Sequence, residues 1–330
     1  MSDTGTGSGV EEAVADESAP GMLDEVWESL NGSPRTLSSK YFYDTRGSEL
    51  FVEITHLPEY YPTRTERALL DTWAEELVAR HDPRSLLELG AGSARKTRVL
   101  LDALVARRND GAYLPQDVSG DFLEETARRL RREYPTLEVA PLVGDLTHPL
   151  DPGLEVPRPV MAALLGSTIG NFSDAQARGI LANVRAFLGP GDRFLMGADL
   201  RPSAGKSREE LEAAYNDSRG VTAAFNRNIL SVLNDRLDTD FDPGRFEHRA
   251  FYDPEEGRIE MHLVALEGQE VTIPGRGRIR LEAGESIRTE ISRKYDRPTV
   301  ESLFRRAGLT LVEWRTDPRG RYALAVGAPS

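Results

Sequence analysis

The sequence has 330 residues, 39% of them hydrophobic and 29% charged, which is typical of a globular protein large enough for two domains. Its 54 acidic and 41 basic residues give a net charge of −13, which argues against a nucleic-acid partner. Cysteine is absent and the five histidines are scattered, so we expect no disulfide, thiol chemistry or metal site. No apolar run approaches the roughly 20 residues that cross a bilayer, and no signal peptide is evident. We therefore expect a cytoplasmic protein with no membrane partner.

The first part of the chain predicts a leader followed by an aromatic segment. Residues 1–21 are rich in Gly, Ser, Asp and Glu, and we expect them to be disordered. A short amphipathic helix is predicted over Met22–Leu30, ahead of the aromatic-rich block Lys40–Glu66. Prolines in the second half of this block predict a loop before a helix over Thr65–Arg80.

Strands and helices are predicted to alternate in the middle of the chain, which is typical of a parallel sheet with right-handed crossover helices. The predicted strands are Ser85–Leu89, Ala112–Asp117, Leu137–Val143, Val160–Leu165 and Arg193–Ala198, and the predicted helices are Arg95–Arg107, Gly120–Glu133 and Asp174–Leu188.

This alternation stops after Asp199. Two helices and three strands are predicted next, before a last helix and two strands that return to the first sheet. The pattern predicts an α/β domain, residues 65–199 plus 295–330, and an inserted second domain, residues 22–64 plus 200–294. The later predicted elements are Ser207–Asn216, Val221–Leu237, Phe246–Tyr252, Arg258–Leu266, Glu285–Lys294, Val300–Ala307, Thr310–Arg315 and Arg321–Val326.

The segment SLLELGAGSARKT, Ser85–Thr97, runs from a strand through a glycine turn into a helix. Gly90 and Gly92 let a ligand approach the backbone closely, as in nucleotide-binding α/β proteins. A dinucleotide fingerprint requires a third glycine, where this chain has Arg95. A nicotinamide dehydrogenase is therefore disfavoured, although the two glycines alone leave the nucleotide open.

Three acids, Glu88, Asp117 and Asp145, lie at or near the ends of the first three predicted strands. Asp117 can accept both ribose hydroxyls of a nucleoside, and Asp145 can accept its adenine amino group. S-adenosylmethionine carries a sulfonium cation and no phosphates, so an acidic site suits it electrostatically. Strand-end acids are also common turn formers and helix caps, but three together favour this cofactor.

The segment LGSTIGN, Leu165–Asn171, follows the fourth predicted strand. Gly166 and Gly170 give the backbone conformational freedom there. Asn171 offers a polar group to the molecule that would accept the methyl group of the cofactor. Considered alone, the segment is equally typical of a turn followed by a helix cap.

A resemblance rests on six segments in order: KYFYDTRGSELF, LPEYYPTRTE, LELGAGSARKT, LGSTIGN, GVTAAFNRN and IRTEIS. Together they are similar to the histidine Nα-methyltransferases of ergothioneine biosynthesis, from about residue 22 to the C-terminus. The resemblance implies a Rossmann-like class I S-adenosylmethionine-dependent methyltransferase domain with an inserted α+β substrate-binding domain. It further implies three successive methyl transfers to the α-amine of L-histidine, which give hercynine.

The resemblance also implies individual site residues. Leu146 departs from the family, where phenylalanine is common, and this affects only a backbone and apolar contact. Tyr43, Gly166 and Asn171 match positions near the reacting amine. The cofactor positions correspond to Gly90, Lys96, Asp117, Asp145 and Leu146, and the histidine-binding positions to Tyr60, Asn171, Tyr215, Met261, Glu290 and Ser292.

Glu290 and Ser292 are the residues expected to select the histidine ring. Residues i and i+2 of a strand face the same side, so a carboxylate and a hydroxyl can meet the two nitrogens of one imidazole. Without the resemblance, the same pattern fits the solvent side of a strand. Tyr61, next to the ligand-binding Tyr60, is expected only to pack. In-line transfer to a neutral amine needs alignment rather than a strong base, so no catalytic histidine is expected.

These observations leave open a sister enzyme that methylates another amino acid or amine. Retention of Met261, Glu290 and Ser292 argues against it. A catalytically silent cofactor-binding module is a further alternative, but it would have lost substrate residues such as Tyr60 and Tyr215. We expect a monomer that acts on a small molecule.

Overall fold

The computed structural model describes residues 19–151 and 153–330. Its α-helices include several that match the predicted bounds, among them the helix at Gly120. The helices are α1 (Ala19–Asn31), α2 (Thr45–Thr55), α3 (Tyr61–His81), α4 (Arg98–Arg107), α5 (Gly120–Glu133), α6 (Asp174–Phe187), α7 (Arg208–Ala213), α8 (Val221–Leu237) and α9 (Arg297–Arg306).

Within the described residues, the strands form one large sheet and two small ones. They are β1 (Ser85–Leu89), β2 (Ala112–Asp117), β3 (Glu138–Val139), β4 (Leu142–Val143), β5 (Val160–Leu164), β6 (Arg193–Asp199), β7 (Phe246–Asp253), β8 (Arg258–Ala265), β9 (Gln269–Ile273), β10 (Gly277–Leu281), β11 (Ser286–Arg293), β12 (Leu309–Thr316) and β13 (Tyr322–Pro329).

The large sheet has the order β12-β13-β6-β5-β1-β2-β3, with β4 also beside β2. β1 lies parallel to β2 and β5, whereas β13 runs antiparallel to β6 and β12. Every residue of β1 and β5 is buried, because one apolar cluster covers one face with α3, α4 and α5 and another covers the opposite face with α6 and α9. The predicted α/β fold is confirmed, including the return of the last two strands to this sheet.

A separate apolar cluster joins α1, α2 and α8 to the antiparallel sheet β11-β8-β7 and to the hairpin of β9 and β10. The chain leaves the large sheet at Leu200 and returns at Tyr295, and these two residues form a parallel β-bridge. The start and end of the intervening segment are therefore adjacent, and this part of the molecule lies beside the carboxyl end of β6.

Several predicted boundaries are wrong. Helix α3 begins at Tyr61 rather than Thr65, because Pro62 occupies its first turn, where a missing N–H costs nothing. The single strand predicted over Leu137–Val143 is divided into β3 and β4 around Pro141, which cannot donate to a ladder. The hairpin of β9 and β10 was not predicted at all.

The predicted leader differs at its end. Helix α1 begins at Ala19, so the last part of the stretch expected to be disordered is helical. Residues 1–18 lie outside the described residues. Of the helices in the described part of the chain, none combines the length and apolar character that crossing a membrane requires.

Candidate active site

The glycine turn after β1 is held open by backbone geometry. Gly90 and Gly92 have φ values of 68° and 52°, a region that favours glycine. The N–H of Gly92 donates to Asp117 Oδ2 at 2.9 Å, and the N–H of Ser119 donates to Asp117 Oδ1 at 3.2 Å. A Cβ on Gly92 would have no atom within 4 Å, so there is space for a ligand here. Each oxygen of half-buried Asp117 retains a lone pair for one.

Glu88 does not share this pocket with Asp117. Its side chain is 3% exposed and accepts hydrogen bonds from Thr97 Oγ1 at 2.5 Å and from the Tyr113 hydroxyl. Burial raises the pKa of Glu88 to about 7, although both hydrogen bonds oppose the increase. The prediction that three acids bracket the pocket is therefore corrected, since Glu88 stabilises the turn from inside the protein.

Asp145 and Leu146 lie two and three residues beyond β4, at the same edge of the sheet. Asp145 Oδ1 accepts hydrogen bonds from the backbone N–H and the hydroxyl of Thr147, both at 2.8 Å. A Cβ on Gly90 would lie 3.7 Å from Leu146 Cδ2, so Leu146 covers the glycine turn. The structure thus brings both residues beside Gly90.

Lys96 is joined to Gly166 by a carboxylate that the sequence analysis did not single out. Lys96 Nζ pairs with Glu66, which is fully buried in α3. The remaining oxygen of Glu66 accepts hydrogen bonds from the Gly166 N–H and the Tyr322 hydroxyl, both at 2.7 Å. A Cβ on Gly166 would lie 3.1 Å from Lys96 Nζ. The available signal was the position of Glu66 at the end of the segment LPEYYPTRTE.

Aromatic rings pack together on the side of the site where the molecule that accepts the methyl group is predicted to bind. The Tyr43 ring meets Phe51 and Phe225 edge-on, with centroids 5.8 and 5.9 Å apart, and Tyr60 meets Tyr215 at 6.4 Å. The Tyr43 residue as a whole remains 47% exposed.

Two of the predicted site acids act electrostatically on Tyr43. Desolvation of its hydroxyl raises the pKa of Tyr43, and the negative charges of Glu290 and Asp117 raise it further. Both acids therefore lie close enough to Tyr43 to act on its hydroxyl.

Asn171 ends a short 3₁₀ turn, Thr168–Asn171, that packs against β11. A Cβ on Gly170 would lie 2.8 Å from the carbonyl oxygen of Arg293, so only glycine allows this approach. The close contact brings half-buried Asn171 to the strand that carries Glu290 and Ser292. No hydrogen bond from the described residues reaches the Asn171 side chain.

Glu290 lies at a register shift of β11, opposite buried Met261 of β8. Burial raises the pKa of Glu290 to about 7, while the charge of Lys294 lowers it. No side chain or backbone N–H of the described residues donates to this half-buried carboxylate. It is thus available to a ligand, and Met261 lies beside it.

Ser292 and Tyr215 are both nearly buried, at 4% and 7% exposure. The Tyr215 hydroxyl donates to Ser292 Oγ at 2.9 Å, and Lys294 Nζ donates to both oxygens at 2.8 Å. Five of the predicted substrate residues, Tyr60, Tyr215, Met261, Glu290 and Ser292, therefore lie in one region, with Asn171 at its border.

Behind this region, Asp199 forms a buried ionic cluster. It pairs with Lys206 Nζ at 2.6 Å and Lys294 Nζ at 2.9 Å, and all three side chains are at most 1% exposed. Burial favours a higher pKa for Asp199, but the two ammonium groups outweigh it and lower the pKa. For Lys206, whose charged form is the protonated one, burial has the opposite effect and lowers the pKa to about 8. The Tyr61 hydroxyl donates to both Asp199 oxygens at 2.8 and 2.9 Å, so the prediction that Tyr61 only packs is wrong.

Comparison with known proteins adds a family to this geometry. A family model described as histidine-specific, SAM-dependent methyltransferase matches residues 22–328. The chain belongs to this family. The match covers the apolar clusters on the two faces of the large sheet and the separate cluster around the β11-β8-β7 sheet. It also includes every site residue named above.

Three relatives are similar to this chain to different extents. Histidine N-alpha-methyltransferase of Mycolicibacterium smegmatis is 40% identical over 95% of this chain and 96% of its own length. Ergothioneine biosynthesis protein 1 of Schizosaccharomyces pombe is 32% identical over 72% of this chain and 31% of its own length. The 4-dimethylallyltryptophan N-methyltransferase ifgB of Penicillium roqueforti is 27% identical, over 93% of each chain. The name of this last relative gives a substrate other than histidine.

Proposed function

We propose that this protein is an S-adenosylmethionine-dependent L-histidine Nα-methyltransferase that makes hercynine by three successive methyl transfers, as a step of ergothioneine biosynthesis. The observation that carries this proposal is the Glu290 carboxylate. It is half-buried, accepts no hydrogen bond from the described residues, and has buried Ser292 on the same strand. An imidazole offers the ring N–H that such a carboxylate requires.

The residues of the glycine turn fit S-adenosylmethionine. The backbone at Gly90 and Gly92 leaves open space, and Asp117 can accept ribose hydroxyls. We assign the adenine contact to Asp145 and Leu146, and the carboxylate of the methionine part to Lys96. When bound, this cofactor would supply a methyl group on a sulfonium; the amine nitrogen bonds to the methyl carbon as the carbon–sulfur bond breaks, and the sulfur leaves as a neutral thioether.

We assign the substrate carboxylate to Tyr60, Asn171 and Tyr215, whose neutral hydrogen-bonding groups suit it. The ring belongs between Glu290 and Ser292, against Met261. This arrangement leaves the α-amine toward Tyr43 and Gly166, and Glu66 links Gly166 to Lys96 on the cofactor side.

The proton of the amine needs no strong base in this site. The raised pKa of Tyr43 keeps its hydroxyl neutral near pH 7, so it orients the amine by hydrogen bonding rather than by accepting a full proton. The amine therefore reacts in its neutral form after its proton has passed to water. As methyl groups accumulate, the nitrogen becomes a fixed cation that tyrosine rings attract.

We further propose that residues 65–199 plus 295–330 form the cofactor domain and residues 22–64 plus 200–294 the substrate domain of a cytoplasmic monomer. The separate apolar clusters support this division, although α3 continues across the boundary. Size-exclusion chromatography with light scattering tests the monomer.

The test of function is incubation of the purified protein with S-adenosylmethionine and either histidine, tryptophan or tyrosine, followed by mass spectrometry. We expect histidine to gain one, two and three methyl groups. A second candidate, methylation of an indole amino acid, is favoured only by the similarity to the dimethylallyltryptophan enzyme. Turnover of tryptophan without turnover of histidine would select it.

A further inference from the structure

A buried ammonium lies directly behind the proposed ring pocket. Lys294 follows β11 and is 1% exposed. Its Nζ lies 2.9 Å from Asp199 Oδ2, and 2.8 Å from both the Tyr215 hydroxyl and Ser292 Oγ. An ammonium has three N–H groups, so these acceptors use all of them. The roles assigned above leave Lys294 without one.

The contacts of Lys294 set the direction of the Ser292 hydroxyl. Ser292 Oγ accepts one hydrogen bond from Lys294 Nζ and one from the Tyr215 hydroxyl, at 2.8 and 2.9 Å. These two bonds occupy both acceptor positions of a hydroxyl oxygen. Ser292 can then offer a ligand only its own hydrogen, and a ring nitrogen that carries no hydrogen is the group that accepts it.

Lys294 also acts on Glu290, the second residue of the ring pocket. Its positive charge lowers the pKa of this carboxylate against the effect of burial. The other titratable groups that face the carboxylate are Tyr43, Tyr60 and Tyr215, from segments packed around β11. Their raised pKa values keep them neutral near pH 7. Lys294 is therefore the positive charge that favours the ionised carboxylate.

We propose that Lys294 is a positioning residue for recognition of a neutral imidazole: it makes Ser292 a donor to one ring nitrogen and keeps Glu290 an acceptor for the N–H of the other. This inference rests on the proposed function. A single tautomer of the ring satisfies both residues. An indole has a ring N–H but no acceptor nitrogen, so it would leave the Ser292 hydrogen unpaired in a buried site.

Lys294→Met tests this role, because it removes the ammonium and retains most of the side-chain length. Methylation of histidine is measured from about pH 6 to about pH 9. We expect KM for histidine to rise about tenfold at pH 8, with a much smaller change in kcat. We also expect the acid limb of kcat/KM to move up by about one pH unit, because Glu290 then ionises only at higher pH.

Lys206→Met is the matched control. Lys206 is equally buried and pairs with the same Asp199 carboxylate at 2.6 Å, but it contacts neither Tyr215 nor Ser292. This variant should lose stability and keep the wild-type acid limb. An equal shift of the limb in both variants, or no shift in Lys294→Met, would overturn the proposal.

Ser292→Ala decides the case if Lys294→Met does not fold. It removes the hydroxyl and leaves Lys294 paired with Asp199, so KM for histidine should rise while the acid limb stays in place. An unchanged KM would reject the role of Lys294 through Ser292. A folded wild-type protein that does not methylate histidine would instead reject the proposed function, so the two failures are distinguishable.

Discussion

The glycine-turn edge and the ring pocket of this protein are built in opposite ways. At the glycine turn itself, Asp117 accepts a hydrogen bond from the Gly92 N–H, 25 residues away. At the ring pocket, Tyr215 meets Ser292 across 77 residues, and Tyr61 meets Asp199 across 138. The first region is a local backbone conformation, whereas the second depends on buried charges that come from distant segments.

This difference separates two kinds of constraint. A backbone turn needs glycine at particular φ values and tolerates variation in the side chains around it. A buried ionic cluster needs every partner, because removal of one leaves another charge without compensation. We therefore expect mutations at the ring pocket to affect both stability and recognition, and mutations at the glycine turn to affect mainly the cofactor.

The largest expected effect is that of Asp199→Asn, which leaves Lys206 and Lys294 buried without an anion. We expect a loss of about 3–5 kcal/mol in the free energy of unfolding, measured by urea denaturation. Asp71→Asn is the control, since Asp71 and its partner Arg67 are both nearly half exposed. That variant should change the free energy by less than about 1 kcal/mol. Similar losses in the two variants would show that the cluster is not a special constraint.

Glu290→Ala should have the next largest effect, and it concerns recognition. Loss of a charge-assisted hydrogen bond should weaken histidine binding by about 1.5–3 kcal/mol and relax ring selectivity. Calorimetry with histidine measures this change, and titration with S-adenosylmethionine, whose affinity should stay constant, provides the control. Unchanged histidine affinity would remove Glu290 from the site.

Asp117→Ala should weaken binding of the cofactor rather than binding of histidine. We expect S-adenosylmethionine affinity to fall by about 1.5 kcal/mol, near the lower end for a charged partner, because Asp117 is partly exposed. The Gly92 N–H also loses its acceptor. An unaltered cofactor affinity would count against the assignment at the end of β2, and weaker histidine binding of the same size would blur the contrast between the two regions.

The smallest expected effect is that of pH on the wild-type protein. Because the pKa of Glu290 is about 7, the carboxylate is mostly ionised at pH 8 and mostly protonated at pH 6. Histidine affinity should therefore fall roughly tenfold across this range. Glu290→Gln retains the titration of the substrate itself, so the difference between the two profiles isolates the carboxylate. Identical profiles would contradict the role of its ionisation.

The local parts of the fold could be predicted closely from the sequence. Strands β1 and β2 and helices α5 and α8 have the predicted bounds, because apolar periodicity and turn residues specify such elements within a short window. The predictions failed where a neighbouring context decided the outcome. Pro62 looks like a loop residue, yet it starts a helix, and the hairpin of β9 and β10 alternates too briefly to stand out.

The candidate site divides in the same manner. Gly90 and Asp117 could be found from their positions at the ends of predicted strands, whereas the substrate residues came from a family resemblance. The sequence analysis missed Glu66, Asp199 and Lys294, because a sequence does not distinguish a buried charged residue from a solvent-exposed one. Only its partner distinguishes it, and the partners lie far away in the chain.

The position of Asp199 has a consequence for how this protein could diversify. Every passage of the described chain between the two apolar regions converges there: Tyr61 donates to its carboxylate, Leu200 follows it, and the N–H of Tyr295 donates to its carbonyl oxygen at 2.9 Å. Because Leu200 and Tyr295 are adjacent, the segment between them connects to the large sheet in the same way as a short turn would. Evolution can therefore replace this segment with one that binds another amine. The strands of the large sheet beside the proposed cofactor residues then keep their order and connections.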